Sequence, residues 1–359
     1  MKTFASSTLR NIRRTVMIMG VAAVSVTSMT SIAAADEEVN LYSYRQPFLI
    51  NPILEAFTAE TGIKVNTVHA KSGIVERLKA EGEATPADVV LTADVGRLHD
   101  LVEADLVQPV TSDVLNANIP TQYRHPEGKW YGLTVRGRVI FASADRTEPG
   151  EVTSYADLAD PKLKGRVCTR SGKQVYNVSL IASIIAHKGE DEAKKWLAGL
   201  RDNLAQKPQG NDRAQAKAIS EGVCDYAIAN TYYYGKMVTN DKEPEQKDWA
   251  KAVRLVFPNQ DGYGTHVNIS GAVVTKYAPH PDNALKLLEF LSGDKAQKIY
   301  AEQNFEYPVK LGVELDPLVA SWGDFNADTI SLNEVAKLRA AASRMVDEVA
   351  YDFGPQSGT

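Results

Sequence analysis

The sequence has few of the side chains on which soft-metal sites and many enzyme active sites depend. Its 359 residues include two cysteines and six histidines, and the histidines are scattered rather than grouped at the spacing of a zinc site. It also lacks a serine-nucleophile elbow, a zinc-protease helix motif, a paired-cysteine redox motif and a glycine-rich phosphate loop. These absences argue against an exported hydrolase and against soft-metal sites, and we expect a protein without catalytic activity.

The first 35 residues have the pattern of a signal peptide. Four basic residues lie within the first 14 positions, and an uncharged segment follows from Thr15 to Ala35. Ala33 and Ala35 fit the small-residue pattern of a cleavage site. The apolar segment is short and interrupted by serine and threonine, and no later segment has the apolar length of a membrane span. We therefore expect export to the periplasm, by the general secretory or the twin-arginine route, and cleavage near Ala35.

The chain carries a formal charge of −5, which becomes −9 when the four basic residues of the predicted signal peptide are removed. This acidic balance argues against nucleic acid or an anionic membrane as a partner. The roughly 320 residues that remain are enough for two lobes with substantial cores. The two cysteines, Cys168 and Cys224, each follow a valine. Outside the cytoplasm they can form a disulfide, but two buried free thiols in adjacent strands would give the same pattern.

Strand-like and helix-like segments alternate along the chain. In the first part, strands are predicted at 39–44, 63–68 and 87–91, and helices at 51–60, 72–82 and 95–106. The third strand is apolar without alternation, as a central strand of a parallel sheet would be. This alternation predicts an α/β fold with a doubly wound parallel sheet.

A second alternating set begins after the turn at Pro149 and Gly150. Strands are predicted at 166–170 and 225–229, and helices at 177–187, 190–201 and 214–221. We assign residues 36–135 together with 266–312 to lobe 1, and residues 136–265 together with 313–359 to lobe 2. The last helix is predicted as one long amphipathic segment from Leu332 to Ala350.

Three consecutive tyrosines, Tyr232 to Tyr234, follow the predicted strand at 226–229 and begin a helix. Open α/β sheets place ligands at the carboxyl ends of their strands. Ionising one phenol, whose pKa is near 10, costs about 4 kcal/mol at pH 7, so few ligands other than a hard trivalent cation could hold several tyrosinates. The same triplet could instead be amphipathic packing with its hydroxyl groups at the surface, and composition alone leaves this alternative open.

Several motifs resemble those of the bacterial ferric-iron-binding proteins that supply ABC importers. They include G-R-V-C-T-R-S at 165–171, V-Y-N-V-S-L at 175–180 and A-N-T-Y-Y at 229–233. Others are V-N-L-Y-S at 39–43, T-A-D-V-G-R at 92–97 and G-T-H-V-N-I-S-G at 264–271. The resemblance covers nearly all of the predicted mature chain. It implies a two-lobed periplasmic solute-binding protein fold, each lobe a sheet flanked by helices, with the ligand in the cleft between the lobes.

The resemblance also implies a set of metal ligands. Tyr232 and Tyr233 match the adjacent tyrosines of the family, Tyr176 matches its separate tyrosine, and Tyr234 becomes a packing residue. In some relatives a His-Tyr pair follows the first strand, but Gln46 and Pro47 stand at these positions here. The chain is therefore similar to the subgroup that uses tyrosines together with an exogenous anion.

Three tyrosinates balance the charge of Fe3+ and leave about three positions of an octahedral shell open. Arg136 matches a family arginine near the metal, and Arg45 is placed beside the cleft. We expect both to hold carbonate or another small anion, with Gln46 as a hydrogen-bonding neighbour. For each arginine, a solvated or structural salt bridge is the alternative.

These expectations combine into one functional prediction. The chain is predicted to be a monomeric periplasmic protein that captures ferric iron, closes by hinge bending and delivers the ion to an ABC permease in the inner membrane. The alternative is the same fold with a small organic solute, such as a polyamine, a sugar or a thiamine-like molecule, on which the tyrosines stack.

Overall fold

The structure is a computed structural model that describes residues 37–355. The predicted signal peptide and its cleavage position at Ala35 lie outside the described residues. Within the described part of the chain, no helix combines the length and the apolar character needed to cross a membrane.

Residues 37–355 contain ten β-strands and fourteen α-helices. The strands are β1 (Glu38–Ser43), β2 (Lys64–His69), β3 (Val89–Thr92), β4 (Val107–Gln108), β5 (Tyr131–Ser143), β6 (Val167–Cys168), β7 (Tyr226–Asn230), β8 (Val253–Val256), β9 (Val267–Thr275) and β10 (Tyr307–Pro308). The helices are α1 (Pro47–Thr61), α2 (Ile74–Glu81), α3 (Val95–Glu103), α4 (Asp113–Asn118), α5 (Val175–Lys188), α6 (Glu190–Asp202), α7 (Asp212–Ser220), α8 (Thr231–Val238), α9 (Glu245–Lys251), α10 (Pro281–Ser292), α11 (Asp294–Asn304), α12 (Pro317–Ala320), α13 (Leu332–Lys337) and α14 (Arg339–Glu348).

The strands form a mixed sheet in the order β2-β1-β3-β9-β5-β7-β6. β2, β1 and β3 are parallel, as the alternation of strands and helices predicts. β9 then pairs antiparallel with both β3 and β5, so the parallel arrangement is confined to parts of the sheet. The reason is topological: the position beside β3 is filled by a strand that arrives from much later in the chain, without a helical crossover from β3.

The long strand β5 connects the two halves of this sheet. Residues Tyr131 to Gly137 pair with β9, whereas Arg138 to Ala142 pair with β7. All 13 residues of β5 are buried, including Arg136 and Arg138. Two charged residues in a buried strand must be satisfied by polar partners from neighbouring elements, which places a polar site next to the middle of β5.

Apolar side chains form separate cores along the first and the second half of this strand. Leu41, Ile53 and Val90 belong to the first core, and Ile140, Ile181 and Leu197 belong to the second. A third, smaller cluster contains Phe141, Met237 and both cysteines. The exact residues at which the two predicted lobes meet stay a prediction.

Cys168 and Cys224 form a disulfide whose Cα atoms lie 5.9 Å apart. Cys168 is in β6 and Cys224 lies just before β7, and these two strands are parallel neighbours. The structure therefore decides between the two possibilities that the sequence left open.

The C-terminal segment differs from its prediction. Instead of one helix from Leu332 to Ala350, the chain forms α13 and α14, which are separated at Leu338. α13 contacts both cores, with Leu332 in the first and Val335 in the second, whereas Met345 of α14 packs in the second. The break falls where contact with the first core ends, which periodicity alone does not reveal.

Candidate functional site

A cavity of about 180 Å³ lies where helices α5 and α8 begin. We call it the tyrosine cavity because four phenol side chains line it: Tyr44, Tyr176, Tyr232 and Tyr233. Arg45 and Gln46 also line it. The structure therefore brings five of the six predicted site residues to one cavity, and the sixth, Arg136, lies behind Tyr176.

Tyr232 and Tyr233 reach the cavity because β7 ends there. All five residues of β7 are buried, and Asn230 at its end has an extended backbone, so α8 begins at Thr231. The two tyrosine rings are stacked, with centroids 4.3 Å apart. Tyr234 does not line the cavity; its ring contacts Phe141 and Trp322, as expected for a packing residue.

Tyr176 enters the cavity from the first turn of α5. The side chain of Gln174 accepts a hydrogen bond of 2.8 Å from the backbone N–H of Tyr176 and so caps the helix. The guanidinium carbons of Arg136, Arg138 and Arg170 lie 5.3, 5.9 and 5.5 Å from the centroid of the tyrosine ring. Three positive charges therefore surround this phenol.

Burial raises the pKa of three of the four phenols, Tyr44, Tyr232 and Tyr233, and the last two are the paired tyrosines of α8. The pKa of Tyr232 lies well above its ordinary value because the group is desolvated and because Tyr176 and Tyr233 are close. Burial, followed by the charge of Asp212, raises the pKa of Tyr233 to about 12. Ionising a phenol with that pKa at pH 7 costs roughly 7 kcal/mol. Both groups are therefore protonated until a strongly charged ligand displaces the protons.

A buried carboxylate partly balances the arginines around Tyr176. Asp212 accepts hydrogen bonds from Arg138 at 2.7 Å, from Arg170 at 3.0 Å and from the backbone N–H of Asn230 at 2.8 Å. Asp212 thus connects β5 and the segment that follows β6 to the end of β7, immediately before the paired tyrosines. The sequence analysis did not assign a role to Asp212 or Arg138; the arginine in an otherwise apolar strand was the available signal.

Arg45 is bound on one side by Glu306. Its two terminal nitrogens donate to the two carboxylate oxygens, each at 2.8 Å, so the fork that we expected to hold an anion is occupied by a protein carboxylate. Arg136 donates to the carbonyl oxygen of Ala93 and, at 3.2 Å, to Ser270 Oγ. The Nε atoms of both arginines are buried and have no hydrogen-bond partner in the described part of the chain.

Comparison with known proteins identifies the family. Residues 84–327 match the family described as bacterial extracellular solute-binding proteins. The chain belongs to this family. "Iron uptake protein A1" from Synechocystis is 45% identical to this solute-binding protein over 316 residues, which cover 88% of each chain.

Two solved structures are also similar to it. The apo ferric ion-binding protein A from Pasteurella haemolytica is 53% identical, with a TM-score of 0.83, and the match covers 88% of this chain and 98% of that one. A Trichodesmium protein (IdiA, FutA) in complex with iron and citrate ligands is 42% identical, with a TM-score of 0.84, over 88% of this chain and 99% of that one. These matches confirm the predicted two-lobed periplasmic solute-binding protein fold.

Three further titratable side chains line the cavity of this solute-binding protein and were not predicted from its sequence. Tyr44, Arg213 and Lys236 all line it. Tyr44 directly follows β1, and the rule that ligands lie at the carboxyl ends of strands was the signal that could have found it. Lys236 lies on α8 with Tyr232 and Tyr233, four and three residues after them, so helical spacing was the signal that could have found it. Arg213 lies on α7, and only the packing of α7 against α8 brings it to the tyrosines.

The chemistry of the cavity is that of hard oxygen donors and positive charge. In residues 37–355 no group of three or more histidine, cysteine, aspartate or glutamate side chains is placed to hold a metal ion. The phenols supply oxygen donors that become anionic when they lose their protons, and they suit a small, highly charged cation. The surrounding arginines suit anions that bind together with such a cation.

Proposed function

We propose that this protein captures ferric iron in the tyrosine cavity, with Tyr176, Tyr232 and Tyr233 as ligands, and delivers it to an ABC permease in the inner membrane. The observation that carries the proposal is that these three phenols, from two different helices, line one cavity. Three phenolates balance one ferric ion, and the iron–oxygen interactions would offset the free energy of ionising the phenols. The names of the relatives, which refer to iron uptake and to ferric ion, point to the same cargo.

Tyr44 is a fourth phenol that can take part. It lines the same cavity, and its hydroxyl oxygen accepts a hydrogen bond of 3.2 Å from the backbone N–H of Ile74. Burial raises the pKa of Tyr44, as it does for Tyr232 and Tyr233. A fourth phenolate would leave the iron site with one negative charge, and Arg97, 4.4 Å from the Tyr44 ring centroid, is near enough to compensate it.

A small anion such as carbonate would complete the iron shell. The unpartnered Nε atoms of Arg45 and Arg136 are its proposed donors, and the exposed side chain of Gln46 adds a further hydrogen bond. The terminal nitrogens of Arg45 donate to Glu306, so the proposed donor to the anion is the Nε atom of the same guanidinium group.

The remaining features of the proposal concern the whole molecule. The protein acts in the periplasm after removal of the segment that ends near Ala35, works as a monomer and catalyses no reaction. Lobe 1, residues 36–135 and 266–312, and lobe 2, residues 136–265 and 313–359, close around iron by hinge bending of the chain between them. Release to the permease requires this closure to reverse.

Metal loading of the purified protein tests the proposed function. The protein is first freed of metal, ferric citrate is added, and the visible spectrum and the iron content are measured. A phenolate-to-iron absorption band with about one iron per chain is expected. A colourless protein without bound iron would overturn the proposal and favour an organic solute. Among such solutes, a polyamine is disfavoured because Arg213 and Lys236 line the cavity without an ion-pair partner in residues 37–355.

A further inference from the structure

Helix α8, which carries Tyr232 and Tyr233, packs against the end of α11 from the other proposed lobe. The contact is made at Gly235, a buried residue of α8. A Cβ atom at this position would lie 2.5 Å from Cγ and 2.7 Å from Cβ of Phe305, which follows the last residue of α11. Because glycine has no side chain, the ring of Phe305 can lie directly on the helix that presents the paired tyrosines.

Phe305 has a backbone conformation that bulky residues rarely adopt. Its φ is 56°, in the left-handed region that glycine usually occupies at the end of a helix. Its neighbours are fixed, since Asn304 donates to the carbonyl oxygen of Leu49 at 3.0 Å and Glu306 accepts both hydrogen bonds of Arg45. The side chain is buried, yet it belongs to none of the three apolar cores of residues 37–355. A strained residue held in this way is typical of a functional contact.

Lys236 makes a second contact between the same two helices. Its ammonium group donates to the backbone carbonyl oxygen of Gln303, in the last turn of α11. The carbonyl groups at the end of a helix lack partners within the helix and attract positive charge. The same ammonium group lies 5.4 Å from the ring centroid of Phe305 and 5.5 Å from that of Phe48. All three of these partners lie in proposed lobe 1, whereas Lys236 lies in proposed lobe 2.

We propose that Gly235, Lys236 and Phe305 form a latch between the lobes, which holds Tyr232 and Tyr233 in the closed cleft and sets the rate at which iron leaves. This inference rests on the proposed function and on its division into lobes. Opening of the cleft separates Phe305 from Gly235 and Lys236 from the carbonyl oxygen of Gln303. The latch therefore stabilises only the closed form, and weakening it increases the population from which iron escapes. Its members are positioning residues, because they act through the tyrosines.

The experiment measures how fast iron leaves the full protein. Protein loaded from ferric citrate is mixed with an excess of a competing chelator, and the decay of the phenolate band gives the rate. Phe305→Gly removes the ring and suits the left-handed backbone, whereas Lys236→Met removes the charge. Each should accelerate iron loss by about tenfold or more, as expected for the loss of a buried contact or of a hydrogen bond from a charged group. Lys236→Arg can still donate to the carbonyl oxygen and should restore most of the slow rate.

Two further variants test the contact between Gly235 and Phe305. Gly235→Ala should also accelerate iron loss by about tenfold, because its methyl group collides with the ring. In Gly235→Ala/Phe305→Gly the methyl group fits into the space that the ring has left, so iron should leave no faster than from Phe305→Gly alone. If the two accelerations multiply instead, the residues act independently and the latch is overturned.

Lys298→Met is the matched control for Lys236→Met. Lys298 also lies on α11 or its contacts, where it forms an exposed pair with Glu302 at 3.7 Å, and its variant should lose iron as slowly as the wild type does. If the wild type develops no phenolate band with ferric citrate, the proposed function fails. If the band develops but iron leaves Phe305→Gly and Lys236→Met as slowly as it leaves the wild type, the latch alone is overturned.

Small-angle X-ray scattering of the same proteins measures closure. Iron should contract the wild type, and at equal iron occupancy it should contract Phe305→Gly and Lys236→Met less. A side chain that only stabilises the fold would lower the urea concentration of unfolding and leave the contraction unchanged. Equal contraction of the wild type and both variants would therefore overturn the latch.

Discussion

Arg45 and Glu306 form a buried ion pair in which each terminal nitrogen of the arginine lies 2.8 Å from a carboxylate oxygen. The two residues are 261 positions apart, and their side chains are 4% and 0% exposed. Burial by itself raises the pKa of Glu306, but the charge and the hydrogen bonds of Arg45 lower it by more. The pKa of Glu306 therefore lies below its ordinary value. The pair fixes Arg45, a wall residue of the tyrosine cavity, to the segment that precedes β10.

Removing the carboxylate of this pair should destabilise the protein strongly. Glu306→Gln leaves the charge of Arg45 buried without a counter-charge, and we expect the free energy of unfolding at pH 7 to fall by about 3–5 kcal/mol. Because the folded pKa of Glu306 is depressed, its contribution is present above the ordinary glutamate pKa and is lost as the pH falls through the folded pKa. Urea unfolding at pH 7 and near pH 3 measures both effects.

The control for this variant is Glu302→Gln. Glu302 forms an exposed pair with Lys298, and loss of such a pair should change the free energy of unfolding by less than about 0.5 kcal/mol. Equal stability of Glu306→Gln and Glu302→Gln would show that the buried pair contributes no more than a surface contact does.

Replacement of single phenols tests the proposed ligands. Tyr232→Phe, Tyr233→Phe and Tyr176→Phe each keep the ring and remove one donor oxygen, so each should weaken ferric iron binding by more than about a hundredfold and reduce the visible phenolate band. Tyr234→Phe is the matched control, because Tyr234 packs on Phe141 and Trp322 outside the cavity. Full colour in all three ligand variants would contradict the assignment.

Local patterns in the sequence predicted most of the elements that build this site. The buried run that forms β7 was predicted, and so was a helix after it, from the capping oxygens of Asn230 and Thr231. The helix predicted at 177–187 is α5, which begins two residues earlier and therefore includes Tyr176 in its first turn. That the tyrosines are metal ligands was predicted from the family resemblance, because the composition of the segment fits surface packing of aromatic rings equally well. The local pattern does not predict which of the three consecutive tyrosines points away from the cavity, because this depends on the contacts of Tyr234 with Phe141 and Trp322.

Contacts between distant segments were beyond sequence reasoning. The pairing of Arg45 with Glu306 requires that β10 lie beside β5, and no pattern in either segment indicates this. The same holds for Asp212, which accepts hydrogen bonds from β5 and from the segment after β6, and for β9, which lies antiparallel beside β3. The break at Leu338 has the same origin, because it falls where contact with the first core ends.

Loss of the disulfide should affect stability but not the iron site. Cys168 and Cys224 are separated by 56 positions, and cross-linking a loop of that length stabilises a folded chain by about 4 kcal/mol in the chain-entropy description. The double variant Cys168→Ser/Cys224→Ser should therefore unfold at lower urea concentration. Neither cysteine lines the tyrosine cavity, so the phenolate band of the iron-loaded variant should be unchanged. An altered band with unchanged stability would contradict both expectations.

Iron binding should release protons, because phenols bind a metal as phenolates. The pKa of Tyr232 is raised by burial and that of Tyr233 is raised to about 12, so both phenols are protonated at neutral pH without metal. Affinity should therefore rise with pH and fall on acidification, by roughly tenfold per pH unit for each proton displaced. Competition against a chelator of known protonation between about pH 7 and pH 5 gives the slope. If iron affinity did not change with pH, the bound iron would have no phenolate ligands. If affinity depends less steeply on pH in Tyr233→Phe than in the wild type, one of the displaced protons is that of Tyr233.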